Sequence, residues 1–122
     1  MLALPLLLAA MVTLPTDRSY VMAETDKPAA EVAQCAAMFF DKGGKATIEP
    51  QAYGQRVDYR FGNLGGTVKE PTMSFEVHEG EKRTLLLYGF GTWKGATKNM
   101  WKQMSKKCWP ELFDAPLVKP SK

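Results

Sequence analysis

The chain holds two cysteines in 122 residues, Cys35 and Cys108, 73 positions apart. Each falls on the apolar stripe of a helical pattern, and this limits the ways the two ends of the chain can lie. Residues 26–42, "DKPAAEVAQCAAMFFDK", place Val32, Cys35, Ala36 and Phe39 at helical spacing. Asp26 is positioned to cap this helix, Pro28 suits its first turn, and Gly43-Gly44 ends it. Residues 92–108, "TWKGATKNMWKQMSKKC", place Trp93, Ala96, Thr97, Met100, Trp101, Met104 and Cys108 on one stripe. Gly95 is the weak point of that pattern, and Pro110 stops it. A bond between the two thiols needs Cα atoms about 6 Å apart. A Cys35–Cys108 disulfide would therefore lay the last helix beside the first.

Two thiols and one distant histidine do not supply a zinc site, and a redox dithiol would normally show C-x-x-C spacing. The cross-link reading implies an oxidising compartment. The N-terminus agrees, since "LALPLLLAAMV" is an apolar run too short to span a bilayer. Val21 and Ala23 suit signal-peptidase cleavage after Ala23, and an earlier cut after Ala10 is the alternative. No Lys or Arg precedes the apolar run, which makes the signal unusual. The expected organisation is a signal peptide at 1–23 and one small domain at 24–122, with an irregular tail from about residue 110. The expected location is the periplasm or the cell exterior. A content of 45% hydrophobic and 24% charged residues separates this chain from disordered ones.

The middle of the chain is rich in glycine, which disfavours helices. In "RVDYRF" Val57, Tyr59 and Phe61 alternate with charged residues. In "MSFEVH" Met73, Phe75 and Val77 alternate with polar ones. Both read as half-buried strands, and "TLLLYGF" reads as a third. The expected fold is α+β: N-terminal helix, three-stranded antiparallel meander, C-terminal helix. Residues 46–53 fit a short strand or a helical turn. Tyr53, Val57, Phe61, Leu64 and Val68 also fit helical spacing, so an all-α four-helix bundle is the rival.

The third strand is apolar on both sides. Leu86, Tyr88 and Phe90 face away from Leu85 and Leu87, and a strand of this kind is normally covered twice. Either Leu112, Phe113, Leu117 and Val118 of the tail fold over it, or it forms a homodimer or partner interface. On the last helix Lys94, Lys98, Lys102 and Lys106 recur every fourth residue, a cationic ridge near Trp101 and Trp109.

No phosphate loop, dinucleotide fingerprint, H-E-x-x-H or G-x-S-x-G is present. His78 is the single histidine, and its strand position reads as the solvated side beside a turn. No catalytic residue, metal ligand or cofactor is assigned. A net charge of +3 is modest for nucleic-acid binding. The expectation is a non-enzymatic binding or accessory protein of the cell envelope. It would act by protein–protein contact through Lys94, Lys98, Lys102 and Lys106, with Leu86, Tyr88 and Phe90 as further partner-binding residues. The alternative is a binder of anionic lipid or a small ligand through the basic, Trp-containing helix.

Overall fold

The computed structural model describes residues 14–15, 19–61 and 71–117. The elements in chain order are β1 (Tyr20–Thr25), α1 (Ala29–Asp41), β2 (Gly44–Gln51), β3 (Gly54–Phe61), β4 (Met73–His78) and β5 (Arg83–Gly89). A 3-10 turn (Gly91–Trp93), α2 (Thr97–Cys108) and the short α3 (Pro110–Phe113) follow. The five strands form one antiparallel sheet in the order β1-β5-β4-β3-β2.

This corrects the expected three-stranded meander, and it removes the four-helix alternative. The fold is α+β, but the sheet has five strands. Residues 54–61 of the proposed extra helix are β3, paired with β2 and β4. Residues 46–53, left open between strand and turn, lie largely in β2. β1 was missed because its residues were assigned to a leader. A cut after Ala23 would divide this strand. Val21 and Ala23 are buried in the core, and Tyr20–Thr25 pair with Tyr88–Arg83 of β5. The earlier cut, after Ala10, lies outside the described residues.

α1 carries the chain from one edge of the sheet to the other. Its 13 residues span about 19 Å at 1.5 Å per residue. Four inter-strand steps of roughly 4.8 Å give about the same distance, so a helix of this length can bridge β1 and β2. Its N-cap is Pro28 with no side-chain cap bond, a departure from the expected Asp26 cap. The Lys27 N–H instead donates to Thr25 Oγ1 at 3.2 Å.

Both helices cover one face of the sheet. Val32, Ala36 and Phe40 of α1, Trp101 and Met104 of α2, and Trp109 pack on Val21, Val57, Tyr59, Phe75, Val77, Leu85 and Leu87. Phe40 stacks on Tyr59 with centroids 4.6 Å apart. Trp109 lies between Phe75 and Trp101, 5.5 and 5.7 Å away. Cys35 and Cys108 form a disulfide with Cα atoms 5.8 Å apart, so the two ends of the domain are joined as the spacing predicted. The second helix begins at Thr97, five residues later than expected. Residues 91–93 form the 3-10 turn, and Gly95 lies before the helix.

Candidate functional site

Arg56, Asp58 and Arg60 of β3 and Ser74, Glu76 and His78 of β4 alternate with core residues and fall on the face that carries no described helix, whereas Gln55 lies on the side of Val57 and Val77. Register makes them neighbours, since Arg56 lies opposite Glu76 and Asp58 opposite Ser74. On the far side of β4, Tyr88 of β5 lies opposite Ser74, and Leu86 opposite Glu76. Alternation alone predicted two polar strand faces. Pairing merges them into one cluster.

The cluster is tightly bonded. Arg56 Nε donates to Asp58 Oδ1 at 2.8 Å, and Arg56 Nη2 donates to Ser74 Oγ at 3.1 Å. Ser74 Oγ donates to the same Asp58 oxygen at 2.6 Å. Glu76 receives the Tyr88 hydroxyl on Oε2 at 2.5 Å and the His78 ring on Oε1 at 2.8 Å. An ionised carboxylate can only accept, so His78 bonds it through an Nε2–H. The second Arg56 ion pair, to Glu76, is looser at 4.0 Å. Tyr53, from the β2–β3 turn, stacks on the His78 ring with centroids 4.0 Å apart.

Ser74, Glu76 and His78 are buried. This corrects the expectation that His78 sits in solvent. Burying charges is costly unless each is paired, and here the pairing is dense. Burial pulls the Arg56 guanidinium down, but the Asp58 hydrogen bond and neighbouring negative charge outweigh it and hold it above its ordinary value. Burial, then the negative charge of Glu76, pushes the Tyr53 phenol up to about 12. Burial, then the hydrogen bond to Glu76, raises Tyr88 as well. Among the described residues no group of His, Cys, Asp and Glu is arranged to hold a metal ion.

The expected partner-binding residues divide between two sides of the molecule. Leu86 is fully buried on the face opposite the described helices, and Tyr88 and Phe90 are half-buried, their rings 5.5 Å apart. β5 lies between β1 and β4, so it has no free edge for a second chain to pair with. Nor do the described residues of the tail pack on Leu86. Leu112 packs on the helix-side core, Phe113 and Leu117 are exposed, and Val118 lies outside the described residues.

Lys98, Lys102 and Lys106 form an exposed row along α2, opposite buried Trp101, Met104 and Ser105. Lys94 lies just before the helix, where its carbonyl accepts the Ser19 hydroxyl at 2.8 Å. Spacing along the chain did not show that Lys107 and Lys42 lie together. The Lys107 ammonium approaches Lys42, at the end of α1, and lowers its pKa by direct contact and by charge. Trp101 and Trp109 are buried, so neither is available as an interfacial anchor beside the ridge. No described helix is long and apolar enough to cross a membrane.

No protein-family model, curated protein or solved structure matches this chain.

Proposed function

We propose that this protein is a non-enzymatic binding or accessory module of an extracytoplasmic compartment, which meets an acidic protein partner through the lysine surface of α2. The observation that carries this reading is the gathering of Lys98, Lys102, Lys106, Lys107 and Lys42 on the exposed ends and outer side of the two disulfide-linked helices. No ion pair among the described residues engages any of them. Lys107 is close enough to Lys42 to disfavour its charge. A carboxylate-bearing partner would relieve that repulsion, and complementary charge of this kind mainly accelerates encounter and selects the partner. The disulfide supports an oxidising location, and the periplasm or the cell exterior fits it.

A protein partner is favoured over a lipid surface because the ridge has lysines but no exposed tryptophan to enter the bilayer interface. The test is capture from a native envelope preparation under oxidising conditions, with wild type beside a Lys98/Lys102/Lys106/Lys107→Glu variant. A stoichiometric protein retained by wild type, released by salt and lost by the variant supports the reading. Equal retention by the variant removes the ridge as the site. Salt-sensitive binding to vesicles of equimolar phosphatidylglycerol and phosphatidylcholine, with no protein captured, replaces it with the lipid reading.

A further inference from the structure

The cluster on the face opposite the described helices is separate from the lysine ridge and has its own chemistry. Tyr53 is held at the β2–β3 tip by two contacts to the end of β4 and the residue after it. Its ring lies on His78 with planes 12° from parallel. Its carbonyl accepts the Glu79 N–H at 2.8 Å. Behind the imidazole, Glu76 accepts from Nε2.

The charges in this group are unequal. With a neutral imidazole, one guanidinium (Arg56) faces two carboxylates (Asp58 and Glu76), and the second of these is only loosely paired to it. A proton on His78 removes the deficit. It also makes the Nε2–H···Glu76 bond charge-assisted and places a cation against the face of the Tyr53 ring. Arg56, which also reaches Glu76, and the burial of the ring weigh against this charge; the other groups around His78 do not. Thr84 of β5 lies opposite it and is uncharged. Tyr88 donates to Glu76 as a neutral phenol. Glu79 is exposed and pairs with Arg83 at 3.3 Å.

We propose that Tyr53, His78 and Glu76 form a proton-sensitive clasp, which fastens the β2–β3 tip over the polar cluster more firmly in acid than at neutral pH. The clasp would let an exported domain respond to acidification without unfolding, since the disulfide and the helix-side core take no part in it.

The test uses the full oxidised chain and nuclear magnetic resonance at pH values on either side of the ordinary histidine range, about 5 and about 8. The readout is the protection factor of the Glu79 amide, corrected for the intrinsic pH dependence of exchange. Wild type should show protection several-fold greater in acid, together with strengthened Tyr53–His78 ring contacts. His78→Gln should abolish the difference. Tyr53→Leu, at a half-buried turn position, should leave His78 titrating but abolish the difference in Glu79 protection. Protection that does not change with pH in wild type overturns the proposal. So does a pH response that survives in either variant. If His78→Gln fails to fold, Tyr53→Leu decides alone.

Discussion

The Ala46 amide donates to Asp41 Oδ1 at 2.8 Å, so the last residue of α1 caps the edge strand that follows it. Alternate residues of an edge strand turn their N–H groups outward. If Ala46 points out, so do Ile48 and Pro50, and proline has no N–H to offer. Ile48, 43% exposed, is then an outward-facing donor in the middle of this edge. An unguarded edge strand templates the addition of another chain. Asp41→Ala with Pro50→Val should therefore raise concentration-dependent self-association above wild type in sedimentation velocity. A double variant no more associated than wild type would show that these two residues do not guard the edge.

The disulfide closes a 73-residue separation between the ends of the domain. In the chain-entropy account such a loop stabilises by roughly 4 kcal/mol. A Cys35→Ala/Cys108→Ala variant should lose stability on that scale in equilibrium denaturation, with an unchanged native circular dichroism spectrum. A loss below about 1 kcal/mol would mean that the helix-side core holds α2 in place unaided.

Among the described residues Arg56 pairs with both Asp58 and Glu76. Arg56→Met should leave a partly buried carboxylate pair without its counter-charge, at a cost of about 2–4 kcal/mol. Replacing Asp58 by Asn in the same chain should recover part of the loss, and denaturant midpoints of wild type, the two single variants and the double variant test this. Additive effects would indicate that the two residues act independently.

Tyr53 has a folded-state pKa near 12 against an ordinary value of 10.0. The unfolded chain therefore releases this proton first. The phenol's stabilising share is whole below pH 10 and declines as pH rises toward about 12. Wild type should lose stability across that window more steeply than Tyr53→Phe. Denaturant midpoints on either side of pH 10 measure the difference, and parallel curves would exclude it.

Gly89 ends β5 where the chain turns into the 3-10 segment. A Cβ there would collide with the Trp93 carbonyl oxygen. Gly89→Ala should displace the turn that leads into α2, lowering the melting temperature by several degrees, as a loss of about 1–3 kcal/mol would in a domain of this size. An unchanged melting temperature would mean the turn relaxes freely.

The two main helices were legible because their apolar residues recur at helical spacing, and the cysteines on those stripes predicted their contact. β4 was read at 73–78, its observed span, and β3 and β5 to within two residues, because alternation or a glycine-bounded apolar run marks each. β1 resembled the end of a leader, since small residues between larger ones suit a cleavage site as well as a buried edge strand. β2 carries Lys45, Glu49 and Pro50, which mark a guarded edge only once a partner strand is known.

Local chemistry in the chain determined the helices, three of the strands and the covalent closure, because periodicity and thiol pairing depend on near neighbours or on a single choice of partner. Only the tertiary structure decided that residues 20–25 and 44–51 flank the sheet, and that Arg56, Asp58, Ser74, Glu76, His78 and Tyr88 share one partly buried network. Strand order and register are set by long-range pairing, and a one-residue slip would send each of these side chains to the opposite face.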